Sequence, residues 1–163
     1  MSLAIRSAGP ADAGTVFRLV CALADYERLR HEVDATPEMI AAALFGQNPR
    51  VFCDIAEWNG EPVGFTLWFL NFSSFRGRHG IYLEDIFVQP EYRGKGIGKA
   101  LLRKLAQRCS EQGYTRLEWS VLDWNTPSID FYKSLGAMIM EEWSICRLTG
   151  DALTSLGARK DAS

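Results

Sequence analysis

Tyr92-Arg93-Gly94-Lys95-Gly96-Ile97-Gly98-Lys99 is the most informative stretch of this chain. Three glycines alternate with three cations, and the stretch sits between two readable elements. Before it, Ile81–Val88 has the β-branched and aromatic content of a strand, which Pro90 ends. After it, Ile97, Leu101 and Leu105 recur on one face, so Ile97–Gln112 reads as an amphipathic helix with Gly113 as its stop. Glycines let backbone approach a bulky anion without Cβ clashes. The first amides of a helix have no internal acceptor and carry the positive end of its dipole. Arg93, Lys95 and Lys99 add full charges. A pyrophosphate site is the physical reading. Two better-known phosphate motifs fail. A Walker A loop needs a glycine where Arg93 stands and a hydroxyl residue where Ala100 stands, and a dinucleotide fingerprint needs a glycine where Lys99 stands.

Outward from this turn, the pattern predicts one α/β domain with a mixed sheet. Leu3–Arg6 reads as a strand. Pro10 opens a helix to about Tyr26 through Val16, Leu19, Val20 and Leu23, and Arg28–Asp34 is a polar loop. Thr36-Pro37 caps a helix through about Phe45. Val51–Trp58 and Pro62–Phe72 form a hairpin around Asn59-Gly60. Ser73–Gly80 reads as a loop, Thr115–Leu122 as a strand, Pro127 as the start of a helix through about Leu135, and Ala137–Leu148 as a final strand. Gly150–Ser163 is expected to hold one helical turn and then fray.

Composition excludes several classes. The chain has 163 residues, 47% hydrophobic and 23% charged, which suits one globular domain with a real core. Eighteen basic and 20 acidic residues leave a net charge of -2, so charge gives no argument for nucleic acid. No stretch approaches the about 20 apolar residues needed to cross a bilayer, and no signal-peptide pattern opens the chain, so a cytoplasmic protein is expected. Cys21, Cys53, Cys109 and Cys146 lack zinc-ligand spacing. They read as buried apolar thiols rather than nucleophiles, and no metal is assigned.

The Arg-Gly-Lys-Gly-Ile-Gly turn resembles the acetyl-CoA pyrophosphate loop of the GNAT superfamily of N-acetyltransferases. Leu83-Glu84-Asp85-Ile86-Phe87-Val88 before it, and Trp124-Asn125-Thr126-Pro127-Ser128-Ile129-Asp130-Phe131-Tyr132 after it, resemble the diamine acetyltransferases, which include the spermidine/spermine and thialysine enzymes. Leu23–Glu27 resembles that family's first helix. The likeness is dense from Tyr82 to Gly136 and thin between Arg28 and Gly80.

The resemblance implies a sheet splayed between the Ile81 and Thr115 strands, with acetyl-CoA as cosubstrate and a homodimer as the assembly. Ile86, Phe87 and Val88 would pair with the pantetheine. The amides of Gly94, Lys95, Gly96, Ile97, Gly98 and Lys99 would hold the pyrophosphate with the charge of Arg93 beside them, and Asn125, Thr126, Pro127 and Ser128 would line the other wall. Acetyl transfer to an amine needs a base for the ammonium, stabilisation of the carbonyl oxygen and a donor for the leaving thiolate. A phenol with an ordinary pKa near ~10 stays protonated and can donate. Spacing alone puts Tyr132 on a core stripe with Ile129 and Leu135; the Trp-Asn-x-Pro-Ser context implies the donor role. A carboxylate works on an amine better through a water than directly. The resemblance selects Glu84. Alternation along the strand sends Glu84 and Asp85 to opposite faces.

A cationic substrate suits an acidic pocket; the resemblance offers Tyr26, Glu27, Glu118, Trp119 and Ser120 for it and Glu142 is a further available carboxylate, with surface or core roles as the plain alternatives. The basic residues of Arg28–Asp34 and Asn71–Gly80 do not match the polyamine enzymes. They favour a smaller amine, or one bearing a carboxylate such as thialysine or lysine. A non-catalytic acyl-CoA binder and an acetyltransferase of protein or peptide amines stand as the other readings.

Overall fold

A computed structural model describes residues 2–158. The chain divides into two compact units, Met1–Leu122 and Asp123–Ser163. The first holds a five-stranded mixed sheet in the order β1 (Leu3–Ser7), β2 (Phe52–Trp58), β3 (Glu61–Ser73), β4 (Arg78–Val88) and β5 (Leu117–Glu118). The first three pairings are antiparallel and β4–β5 is parallel.

Helices cover both faces of this sheet. Ile55 and Ala56 are neighbours on β2, and strand alternation sends them to opposite layers. Ile55, Phe65 and Phe87 pack with Val16, Leu19 and Leu23 of α1 (Ala13–Tyr26) and Leu44 of α2 (Pro37–Phe45). Ala56 and Val63 pack with Ile97 and Leu101 of α3 (Ile97–Gln112). On the α3 side, buried Asp54 receives both guanidinium nitrogens of Arg108, and that guanidinium also lies 5.1 Å from the Trp68 ring.

Local chemistry sets most boundaries. Thr36 Oγ1 accepts from the Met39 amide at 3.2 Å and starts α2. Asn59 (φ 51°) and Gly60 (φ 84°) make the β2–β3 turn. Gly113 ends α3 with φ 72°. Gly80 lies within β4, not in the expected loop: Arg78–Gly80 extends the ladder with β3. A Cβ on Gly80 would stand 2.7 Å from the Arg116 carbonyl oxygen, so glycine lets β5 approach.

One strand expectation is shortened and one fails. Thr115–Leu122 shortens to Leu117–Glu118, because only Ile81 and Tyr82 of β4 pair there. From Leu83 to Val88, β4 has no strand on that side among the described residues. Ala137–Leu148 forms no strand. Its alternating apolar residues, Met138 and Trp143 among them, stay exposed because no ladder receives them. The second unit consists of α4 (Thr126–Ser134), α5 (Gly150–Gly157) and that irregular segment. Two helical turns replace the one expected in the tail; residues 159–163 lie outside the described chain.

Candidate active site

The glycine turn folds as its sequence asks. Gly94 (φ 78°) and Gly96 (φ 80°) adopt the left-handed region, which L side chains rarely enter. A Cβ on either would meet nothing within 4 Å, so the requirement is conformational and the space in front is open. Gly96 is the N-cap of α3, and the Ala100 amide makes that helix's first backbone bond, to the Gly96 carbonyl at 3.0 Å. The amides of Ile97, Gly98 and Lys99 precede that ladder and have no helical acceptor. Left-handed glycines, open space and unladdered amides fit a pyrophosphate.

The three cations of the turn divide. Lys95 Nζ sits 5.2 Å from the Trp58 ring centroid. Arg93 donates from Nε to the Val88 carbonyl at 3.0 Å, and its guanidinium carbon lies 4.5 Å from the Tyr26 ring and 5.5 Å from the Phe87 ring. Lys99 is exposed and makes no ion pair among the described residues.

Strand β4 carries a bulge at the predicted base. Leu83 opposes Trp68 and Asp85 opposes Leu67, which leaves Glu84 as the extra residue. Glu84 and Asp85 together stand against Leu67. The expectation of opposite faces is therefore corrected: the inserted residue breaks the alternation that it relied on. Glu84 is exposed. Asp85 is partly buried on the α1 side; burial, then repulsion from Glu84 and from Glu27, raises its carboxyl to about 7. Burial likewise raises Glu27, the C-cap of α1. Asp85 thus feels the charge of both Glu84 and Glu27 where α1 ends beside β4.

The remaining predicted residues of the first unit are tied to neighbours. Glu118 accepts from Asn71 Nδ2 at 3.0 Å and pairs with Arg116 Nε at 3.0 Å. Ser120 Oγ lies 2.9 Å from Tyr82 Oη, and Trp119 beside it is half-buried. Several cations of the two basic segments are engaged. Arg30 pairs with Asp25 at 2.8 Å, Arg78 reaches the Gly113 carbonyl, and His79 contacts the Asn71 carbonyl and the Phe72 and Tyr114 rings.

In the second unit, Asn125 is buried and its Oδ1 accepts from the Ser128 amide at 3.3 Å, which starts α4 ahead of Thr126 and Pro127. Tyr132 is buried on α4, its ring 5.5 Å from that of Phe131. Glu142 lies in an exposed turn.

Cys21, Cys53 and Cys109 are buried, whereas Cys146 is exposed on the unpaired 137–149 segment and so departs from the buried reading. Burial, then nearby carboxylates, pushes the Cys53 thiol up to about 12, which leaves it inert as a nucleophile.

The pairing of Asp85 with Glu84 is not legible in the sequence, because a bulge leaves no residue-type signature here. The only available signal was two consecutive carboxylates after an apolar strand. The Arg93–Tyr26 contact was also unread, since 67 positions separate its partners.

Comparison with known proteins agrees with this geometry. Residues 17–137 match the acetyltransferase (GNAT) family. The chain is 40% identical to a thialysine N-epsilon-acetyltransferase of Bos taurus, over 95% of this chain and 97% of that one. It is 33% identical to an L-ornithine N5-acetyltransferase of Arabidopsis thaliana, over 93% and 86%. Among solved structures, an integron cassette protein from the mobile metagenome of V. cholerae superposes with a TM-score of 0.82 at 26% identity, covering 98% of this chain and 99% of that one. The mixed sheet, the glycine turn at the start of α3 and these matches together show that the chain belongs to the acetyltransferase (GNAT) family and is an amine N-acetyltransferase.

Proposed function

We propose that this chain transfers the acetyl group of acetyl-CoA to a primary amine of a small cationic molecule, by direct attack within a ternary complex. The carrying observation is the left-handed turn at Gly94 and Gly96, which opens α3 with unladdered amides and the exposed Lys99. Bound acetyl-CoA supplies an activated thioester. The amides of Gly94–Lys99 hold its pyrophosphate, and the edge of β4 at Ile86–Val88, which meets no strand on that side among the described residues, offers backbone groups to the pantetheine amides. Glu84 accepts the amine's proton through a water. Tyr132 donates to the departing thiolate. No acyl-enzyme is needed once the amine is deprotonated.

The acidic end of α1, with Glu27 beside Asp85, supports a cationic substrate. The names of the relatives support an amino-acid type of amine, thialysine or ornithine, more than a long polyamine. The exposed apolar residues Met138, Trp143 and Ile145 support a homodimer that covers them; sedimentation of the pure protein tests it.

Calorimetry with CoA and thiol release from acetyl-CoA, screened over thialysine, lysine, ornithine, spermidine and a peptide panel, test the activity. Release with a small amine is expected. Absence of CoA binding at millimolar concentration sinks the proposal. Binding without release for any amine leaves a non-catalytic binder, and release with peptides alone moves the substrate to protein amines.

A further inference from the structure

Arg93 belongs by sequence to the phosphate turn, yet its side chain reaches back to other elements. Its Nε donates to the Val88 carbonyl at the end of β4, and its guanidinium stacks 4.5 Å above Tyr26, the last residue of α1. Phe87 flanks the same stack, 6.4 Å from Tyr26 between ring centroids. One side chain therefore fastens the turn to the strand that precedes it and to the helix end that carries Glu27.

That helix end needs fastening. The Leu29 amide bonds to the Ala24 carbonyl at 2.8 Å and the Arg28 amide to the Asp25 carbonyl at 3.1 Å, a two-bond helix stop whose pivot normally is glycine. The pivot here is Arg28, at φ 62°. A side chain in the left-handed region costs about 1–2 kcal/mol and persists only where the surroundings hold it. Glu27, the residue before this pivot, owes its raised carboxyl to burial in the packed arrangement.

We infer that Arg93 is a positioning residue, which locks the Tyr26–Glu27 end of α1 to the Gly94–Lys99 turn so that CoA on the turn strengthens amine binding at the helix end. The inference rests on the acetyltransferase reading above. A cofactor that orders the turn also orders Arg93, and Arg93 orders the carboxylate wall; by linkage, each ligand then tightens the other by one common factor.

The test is calorimetric and kinetic, with CoA and L-thialysine as probes. In the wild type, saturating CoA should tighten thialysine binding about fivefold or more, the low end of ordinary coupling. In Arg93→Ala this ratio should fall to about one and the thialysine KM at saturating CoA rise by the factor lost, about fivefold or more, with CoA affinity changed by no more than about twofold. Arg93→Lys keeps a cation over Tyr26 and should restore part of the ratio. Tyr26→Leu should reproduce the loss, and the double variant should be no worse than either single one. The Lys and Leu variants keep the test open if Arg93→Ala fails to fold. A wild-type ratio in Arg93→Ala or Tyr26→Leu overturns the inference. So does a loss of CoA affinity above about tenfold with the ratio intact, which would make Arg93 a phosphate ligand. A wild type that binds no CoA takes down the acetyltransferase reading and this inference together, an outcome distinct from either of those.

Discussion

Glu84 and Asp85, consecutive on β4, stand together against Leu67 because Glu84 is the extra residue of a bulge. Asp85 takes the more buried place and its carboxyl titrates near 7, against an ordinary 3.8. Between those values the folded chain keeps a proton that the unfolded chain has lost. Its stability therefore falls as pH rises from about 4 to about 7, and levels beyond. Each pH unit across that window costs at most about 1.4 kcal/mol from this group. Asp85→Asn should remove that slope and be the more stable protein at pH 8. Urea unfolding of both proteins at pH 5 and 8 measures it; parallel pH dependence in the two would contradict the assignment.

Tyr132 and Glu84 separate by kinetics. Tyr132→Phe keeps the buried ring, so CoA affinity should stay within about threefold of wild type, while kcat falls about 100-fold or more. Glu84→Gln should lower kcat/KM by a similar factor without destabilising the fold, since Glu84 is exposed and its charge repels Asp85. Unaltered turnover in either variant removes that residue from the mechanism.

Gly96→Ala probes the turn itself. A Cβ there meets no atom within 4 Å, so any effect comes from the left-handed backbone at φ 80°. The variant should lose about 1–2 kcal/mol of stability, or else relax the turn and weaken CoA binding about tenfold. Thermal unfolding together with CoA calorimetry detects either result, and a variant normal in both would show that glycine is not required.

Arg108 holds the buried Asp54 carboxylate with two hydrogen bonds, one at 2.9 Å. Arg108→Ala leaves that carboxylate alone in the core and should destabilise the fold by about 3–5 kcal/mol. Replacing both partners, with Asp54→Leu and Arg108→Met, should recover much of the loss. Chemical denaturation of the single and double variants distinguishes a buried charge pair from mere packing.

The sequence by itself determined the elements whose cause is local. Asn59-Gly60 made its turn, Thr36 capped α2, Gly113 stopped α3, and the glycines before Ile97 could take the left-handed conformation. These follow from φ preferences and nearest hydrogen bonds, which a single segment carries with it. The resemblance read from Tyr82 to Gly136 likewise fixed the family. Tertiary structure alone decided what depends on pairing between distant segments. The β4 bulge exists because Leu67 and Trp68 claim Asp85 and Leu83. The strand expected at Ala137–Leu148 found no ladder, since a strand exists only with a partner's hydrogen bonds. Arg93, read from its neighbours as part of the phosphate turn, lies over the ring of Tyr26, because packing placed the end of α1 within its reach.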